Sequence, residues 1–352
     1  MRRILTLAII FLTLPSVRLS AQSDSTAFDH LPFAMYSTDD GFGAGYKGVL
    51  RNSFGMRESF DLTLFLATRG ERWVRLGWSL TDAELRQGTI YGLAVDIVVD
   101  YDKMMNNRFF GIGPDANYDD LEEYTYEPLE ITTAFSRGFT RNFVSTVQLR
   151  FKRVWSYGFE DQSRLRNLPE HAGTADLWSA MLQLRHDTRN SVIHPSSGIV
   201  LQAEVEQAID LTPHAFSWTR YAARVQHYTR VLGIILALRA DAQSMSGDVP
   251  VQHMLSVGGN NTVRGIPKDR FLDRSSAIAN TELRFPIWRR LGGIVGMDAG
   301  AVAPDLGALA DSRWTVAPAA GLRLIFDTFV TRADIGVSGE TVGFYLNFGH
   351  IF

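Results

Sequence analysis

The chain has 352 residues, of which 45% are hydrophobic, and its formal net charge is -3 at pH 7. This near-neutral charge argues against a concentrated basic surface for phosphates, so we expect no nucleic-acid partner. The absence of cysteine excludes disulfides and thiolate metal sites, whereas the overall composition fits a soluble protein and an outer-membrane barrel equally well.

The N-terminal residues have the features of a secretory signal peptide. Arg2 and Arg3 precede an apolar stretch from Ile4 to Leu14, and the small residue Ala21 marks the predicted cleavage site. The apolar stretch is shorter than the roughly 20 residues that a membrane-spanning helix needs. We therefore predict three parts: a signal peptide (1–21), a short periplasmic segment (22–30) and a transmembrane β-barrel (31–352).

From residue 31 onward, long segments alternate apolar with polar residues. In one of them, Leu201 and Val205 alternate with Gln202, Glu204 and Glu206. These segments run to roughly ten residues, the length of a transmembrane strand, whereas strands of soluble sandwiches are nearer five or six. The pattern favours a membrane barrel with apolar side chains facing lipid, and a soluble β-protein is the alternative.

The alternation predicts an all-β fold, a transmembrane antiparallel β-barrel of about 16 strands. An even strand number places both ends of the barrel on the periplasmic side, and closure leaves no strand edge unsatisfied in lipid. The long polar connections are predicted to be extracellular. The predicted strands are 32–38, 41–51, 57–69, 71–82, 86–101, 124–138, 141–157, 175–188, 197–210, 215–230, 231–245, 276–289, 290–304, 313–327, 329–339 and 341–352.

The last predicted strand carries an aromatic pattern. Phe344, Leu346, Phe348 and Phe352 share one face, with His350 as the polar exception. This pattern resembles the C-terminal signal by which outer-membrane barrels are recognised for insertion. We therefore expect the barrel assembly machinery to be a partner in the insertion of this chain.

Four further stretches carry a family resemblance. Val263-Arg264-Gly265-Ile266 lies in the long loop before the predicted twelfth strand, residues 280–286 and 296–300 lie on the following strands, and residues 184–190 precede a mid-barrel turn. In their order and spacing along the chain, these stretches resemble the BamA/TamA superfamily of outer-membrane barrels, the bacterial surface-antigen family. Ile266 stands where the family usually has an aromatic residue.

The resemblance implies that the long loop folds into the barrel and is held there by the Val263-Arg264-Gly265 motif. Alternation places Glu282 and Asp298 on the lumenal faces of their strands. A carboxylate pair can accept a planar guanidinium through charge-assisted hydrogen bonds, so the resemblance implies that Arg264 docks on these two residues. The alternative is a solvated loop arginine.

The resemblance also implies a function, which is to assist the insertion or translocation of outer-membrane or surface proteins. Glycines near the predicted seam between the first and last strands would weaken packing there: Gly41, Gly43, Gly45, Gly48, Gly339 and Gly343. The partners that this function implies are outer-membrane lipid, lipopolysaccharide and unfolded outer-membrane protein clients. The alternative is a passive channel or a structural outer-membrane barrel.

The family's assembly and secretion members usually carry periplasmic POTRA domains before the barrel. Only about ten residues separate the predicted cleavage site from the first strand, whereas a domain needs at least about 50, so we expect a barrel without POTRA domains.

The sequence contains no nucleophile elbow, zinc-protease helix or phosphate loop, so we predict no enzyme, cofactor or metal site. One acidic cluster is either a solvated loop or a weak cation site: Asp119, Asp120, Glu122 and Glu123.

Overall fold

The computed structural model describes residues 26–168, 173–211, 216–326 and 329–352. The predicted signal peptide and residues 22–25 of the predicted periplasmic segment lie outside these ranges. Sixteen antiparallel strands close into a barrel, which confirms the predicted all-β barrel fold and its strand number. Within the described ranges, no helix combines the length and apolarity needed to cross a membrane.

The barrel strands follow one another around the wall in chain order, and the first closes against the last. They are β1 (Ala27–Ser37), β2 (Gly41–Arg51), β3 (Ser59–Ala67), β4 (Arg72–Leu80), β5 (Tyr91–Phe109), β6 (Glu122–Gly138), β7 (Phe143–Tyr157), β8 (Thr174–Asp187), β9 (Gly198–Asp210), β10 (Ser217–Val231), β11 (Ile234–Asp248), β14 (Ser275–Trp288), β15 (Leu291–Ala303), β16 (Thr315–Ile325), β17 (Val330–Val337) and β18 (Val342–Phe348).

The connection between β11 and β14 contains a small sheet that the sequence did not predict. Its strands are β12 (Leu255–Val257) and β13 (Phe271–Asp273), which pair with each other in antiparallel fashion. The other connections include a one-turn helix, α1 (Ala83–Arg86), and 3-10 turns at Tyr118–Asp120 and Leu165–Asn167.

Burial along the strands follows the predicted alternation and is inverted relative to a soluble protein. On β9, Leu201, Val205 and Ile209 are exposed, whereas Glu206 between them is buried. Apolar side chains that face outward from a closed barrel meet lipid, and the buried charges line its interior. The barrel wall therefore has an apolar outside and a polar inside.

Successive connections alternate between the two ends of the barrel. The end at which β1 begins carries short turns such as Leu232-Gly233, where both residues have positive φ (53° and 85°) as a tight two-residue hairpin requires. The opposite end carries the long connections that follow β5, β7 and β11. We call these the hairpin end and the loop end.

The last strand is shorter than the predicted 341–352, and the prediction that Phe352 shares a strand face with Phe344, Leu346 and Phe348 is wrong. β18 ends at Phe348, and Gly349 turns the chain with φ of 74°. Phe352 is instead buried beside Tyr228 of β10, and its backbone oxygen accepts a hydrogen bond from Arg284 at 3.0 Å. The chain leaves the barrel wall here because both the ring and the backbone oxygen have interior partners.

Candidate functional site: the Arg264 cluster and the seam

Arg264 lies in the β11–β14 connection and is fully buried, with 0% of its surface exposed. Its Nε and Nη2 donate to the two oxygens of Asp298 at 2.7 and 3.0 Å. Its Nη1 donates to Glu282 at 2.9 Å and to Asp334 at 3.2 Å. The planar guanidinium group therefore donates hydrogen bonds to three carboxylates. Arginine suits this geometry better than lysine.

Three strands of the wall supply these carboxylates. Glu282 lies on β14, Asp298 on β15 and Asp334 on β17, each on the buried face of its strand. The structure thus brings Arg264 together with the two carboxylates named from the sequence. Asp334 was missed, although the alternation of β17 places it on the same face as Arg332 and is the signal that would have found it.

Further arginines surround the three carboxylates. Arg284 donates to Glu282 at 2.8 Å, Arg323 donates to Glu282 at 3.2 Å and also to Asp334, and Arg332 donates to Asp334 at 3.4 Å. All of these side chains are nearly fully buried. Buried charges are costly unless every one is paired, so the cluster is stable as a unit and vulnerable to the loss of one member.

Gly265, the next residue, approaches the wall through its backbone. Its carbonyl oxygen accepts hydrogen bonds from Ser338 and Thr341, both at 2.7 Å, and its N–H donates to the Tyr345 hydroxyl at 3.2 Å. Its φ is 86°, and a Cβ there would lie 2.5 Å from the carbonyl carbon of Gly336. Glycine is required on both counts, because a side chain would strain the backbone and separate the two segments.

Val263 and Ile266 anchor the same segment through apolar contacts. Both are buried in a cluster that joins the connection to β14, β15 and β16, with Val257, Phe271, Ile278, Val302 and Ala317 as the other members. An aliphatic residue therefore fills position 266 where an aromatic residue was expected from the resemblance.

The β11–β14 connection also contacts both sides of the closure between β1 and β18. On one side, the backbone N–H of Lys268 donates to Asp39 of the β1–β2 turn at 3.2 Å. On the other side, Arg270 forms a bidentate pair with Glu340 of the β17–β18 turn, with both bonds at 2.8 Å. This segment therefore links the first and last hairpins at the loop end.

The closure itself, which we call the seam, is short. Within the described residues β1 and β18 pair through Tyr36 with Leu346 and Ser37 with Tyr345, whereas β1 pairs with β2 over its full length. Thr38 extends the seam, because its N–H donates to the Phe344 oxygen at 3.0 Å and its hydroxyl accepts from the Phe344 N–H at 2.7 Å. The edge of β1 toward the hairpin end therefore has no backbone ladder to β18.

Aromatic side chains lie where this ladder is missing. Phe348 packs edge-on against Phe33 of β1, with ring centroids 5.7 Å apart, and Phe33 stacks on Phe65 of β3 at 6.0 Å. Gly45 and Gly43 leave space for these rings, since a Cβ at either position would collide with them. The glycines of the first hairpin therefore serve ring packing beside the seam.

Phe344 and Leu346 lie exposed on the outer face of β18, while Phe348 is partly buried. Recognition of these residues by an assembly machinery stays a prediction. In the acidic cluster, Glu122 accepts hydrogen bonds from Ser163 at 2.7 Å and from Arg164 at 3.0 Å. Across the described ranges, no group of three or more His, Asp or Glu residues is arranged to hold a metal ion.

A comparison with protein-family models matches residues 41–352 to the Omp85 superfamily domain. A comparison with curated protein sequences gives no match. The sequence-based resemblance to BamA/TamA barrels is confirmed by the family match and by the solved structures described next.

The fold is shared with many solved structures, of which three serve as examples. The crystal structure of BamA from Haemophilus ducreyi lacking POTRA domains 1–3 has a TM-score of 0.68 and 12% identity, covering 93% of this chain and 70% of that one. CdiB from Escherichia coli has a TM-score of 0.62 and 14% identity, covering 89% and 62%. CdiB from Acinetobacter baumannii has a TM-score of 0.58 and 13% identity, covering 94% and 60%. The chain thus spans less than two thirds of either CdiB chain.

Proposed function

Because this chain belongs to the Omp85 superfamily of bacterial outer-membrane barrels, we propose that it assists the insertion or translocation of outer-membrane or surface proteins. Its substrates would be unfolded client strands, and its surroundings would be outer-membrane lipid and lipopolysaccharide. We expect no covalent chemistry, because such a role needs strand pairing and a route into the membrane, without a nucleophile.

The short seam is the observation that carries this proposal. Lipid cannot satisfy backbone N–H and C=O groups, so a barrel that only needs to be stable should pair its closing strands along their length. Here the ladder stops after Ser37 and Tyr36, and residues 27–35 of β1 have no backbone pairing with β18. A free edge of this kind can template an incoming strand by β-augmentation.

The geometry of β18 supports a seam that opens from the hairpin end. Past Phe348 the chain turns inward, so it does not occupy the edge of β1 that a client would use. The Phe33–Phe348 contact would then be the first to separate, since side-chain contacts break without loss of backbone hydrogen bonds. Opening would proceed toward the pairs at Tyr36 and Ser37.

The Arg264 cluster would keep the remaining wall in shape while the seam is open. In this proposal the β11–β14 connection is folded into the lumen, and Arg264 ties it to β14, β15 and β17. The contacts of Gly265 with Ser338 and Thr341 support a role in holding the last hairpin on this unit. The last hairpin would therefore be a fixed side of the gate, and β1 the side that moves.

A reversible lock across the seam tests the proposal. The chain has no cysteine, so Tyr36→Cys with Leu346→Cys introduces a single possible disulfide between opposed residues. In lipid vesicles, the oxidised protein should lose most of its ability to fold a second, urea-denatured barrel client, and reductant should restore it. Client folding is measured by the heat-sensitive migration of folded barrels in gels.

The matched control is Ala34→Cys with Ala44→Cys, which joins β1 to β2 and leaves the seam free. Oxidation of this control should not change client folding. Equal activity of the oxidised and reduced seam variants would contradict the proposal. Steady ion conductance without client folding would instead support the passive channel.

A further inference from the structure

The β2–β3 connection, residues 52–58, presents large apolar side chains at the hairpin end. Phe54 is 71% exposed and Met56 is 53% exposed. The Phe54 ring packs edge-on against Phe60 at 6.0 Å between centroids, and Phe60 lies on the exposed apolar face of β3. The exposed surface of this connection is therefore continuous with the face of the barrel that meets lipid.

Several polar groups of the same connection converge on Glu58, whereas the Arg57 side chain is exposed. This side chain is fully buried, and its carboxylate accepts hydrogen bonds from the Phe54 N–H at 2.7 Å, the Met56 N–H at 3.0 Å and the Ser53 hydroxyl at 3.1 Å. Two more backbone N–H groups find acceptors within the connection. The Arg57 N–H donates to the Asn52 side-chain oxygen at 2.9 Å, and the Asn52 N–H donates to the Glu58 carbonyl oxygen at 2.8 Å.

Such internal bonding has a specific physical use. In water, the N–H groups of a turn lose little by remaining open, because solvent hydrogen-bonds them. In hydrocarbon, an unsatisfied N–H is strongly destabilising, because no solvent molecule can accept its hydrogen bond. This connection exposes two large apolar side chains and satisfies four backbone N–H groups internally, two of them on a buried carboxylate. Both features suit an apolar environment.

The neighbouring β4–β5 connection extends this surface. The N–H of Asp82 donates to the Arg57 carbonyl at 2.7 Å, and its carboxylate pairs with Arg51 at 2.9 Å, so the two connections are joined. The second connection exposes Leu85 and Ile90. Together the two connections expose four large apolar side chains at the hairpin end.

We propose that the β2–β3 connection is inserted into the adjacent membrane leaflet, with phospholipid acyl chains in contact with Phe54 and Met56. Continuity with the lipid-facing surface through Phe60 favours lipid as the occupant. A protein partner or a second copy could supply its own acceptors, and the internal acceptors on Glu58 would then serve no purpose. This insertion concerns the folded barrel in lipid and does not depend on client assembly.

Site-specific quenching in vesicles tests the insertion. Met56→Cys gives a unique thiol for a fluorescent label, because the chain has no cysteine. The folded protein is reconstituted in phosphatidylethanolamine and phosphatidylglycerol vesicles, with or without nitroxide on the acyl chains. Quenching at position 56 should approach that of Leu64→Cys, whose side chain is 41% exposed on the outer face of β3.

The matched control is Arg141→Cys, an exposed polar position in the β6–β7 connection at the same end of the barrel. Its label should be quenched weakly by acyl-chain nitroxide and strongly by a water-soluble quencher. The proposal is overturned if the label at position 56 behaves like the one at 141. It is also overturned if acyl-chain nitroxide quenches the label at 56 only after the protein-to-lipid ratio is lowered, since a second copy would then be the occupant at the higher ratio.

Discussion

Arg264 and Asp298 are joined by three hydrogen bonds, two from the guanidinium group and one from the Arg264 backbone N–H at 3.1 Å. One carboxylate therefore fixes both the side chain and the main chain of the β11–β14 connection. Asp298 is itself held by Asn280, whose amide donates to it at 2.8 Å and also to the Thr262 carbonyl at 2.8 Å. The position of the connection thus depends on one buried acid of β15.

We expect Arg264→Ala to destabilise the barrel by about 3–5 kcal/mol, because it removes the cation that pairs with the fully buried carboxylate of Asp298. The stability of Arg264→Lys should lie between that of the wild type and that of Arg264→Ala, since lysine keeps the charge and loses the bidentate contact with Asp298. Urea unfolding in vesicles, followed by gel migration, measures both.

Arg224→Ala is the control for this pair of variants. Arg224 pairs with Asp241, but 40% of its side chain is exposed and Arg239 also holds Asp241. Its loss should cost less than about 1 kcal/mol. An unfolding midpoint of Arg264→Ala equal to that of the wild type would show that the Arg264 cluster does not stabilise the barrel.

The close approach of Gly336 to the Arg264 backbone gives a second prediction. A methyl group at position 336 would collide with the carbonyl and Cβ of Arg264, which are parts of the connection that cannot rotate away. Gly336→Ala should therefore displace the segment and destabilise the barrel by about 1–3 kcal/mol, as overpacked sites do. Gly339→Ala in the following turn meets no atom within 4 Å and should be neutral. Equal unfolding midpoints for the two variants would contradict the observed packing.

Much of the barrel was predictable because period-two alternation is a property of single strands. The predicted 197–210 and 215–230 agree with β9 and β10 to within two residues. The ends of strands were harder to predict. β5 continues to Phe109 and not to the predicted residue 101, since polar residues such as Asn107 resemble a loop even when they continue a ladder with β6.

The candidate site was predicted in part, for a related reason. The motif around Arg264 and the lumenal faces of Glu282 and Asp298 were accessible from the sequence. The buried face of Asp334 was accessible in the same way, but its contact with Arg264 was not, because the two residues are 70 positions apart in the sequence. The inward turn of Phe352 is of the same kind, since its partners Tyr228 and Arg284 are distant in sequence. Long-range contacts between side chains leave no periodic signal.

A third prediction concerns pH at the loop end. Burial, and next the charge of Asp40, raise the pKa of Glu71 in the β3–β4 turn from its ordinary 4.5 to about 7. Between these values the folded protein keeps a proton that the unfolded chain has lost, so the stability contributed by Glu71 falls as pH rises from about 4.5 to about 7. Glu71→Gln should remove this loss.

The measurement for Glu71 is the urea midpoint of both proteins from pH 5 to pH 8. The advantage of Glu71→Gln over the wild type should grow with pH and level off above about 7. Glu160→Gln, at an exposed position in the β7–β8 connection, should leave the pH profile unchanged. Parallel profiles for Glu71→Gln and the wild type would exclude the inferred proton uptake.

The inward-turned residues after β18 give the last prediction. Ile351 is buried in a cluster with Phe352, Tyr228 and Ala237, so Ile351→Cys should react slowly with a water-soluble maleimide. Adding Tyr228→Ala removes the β10 side of this cluster and should speed labelling about tenfold, which corresponds to about 1.4 kcal/mol of lost local stability. Adding Tyr221→Ala instead, on the exposed face of the same strand, should leave the labelling rate unchanged. Fast labelling in all three proteins would mean that the chain after Phe348 spends most of its time out of the barrel, and the free edge of β1 would then need another explanation.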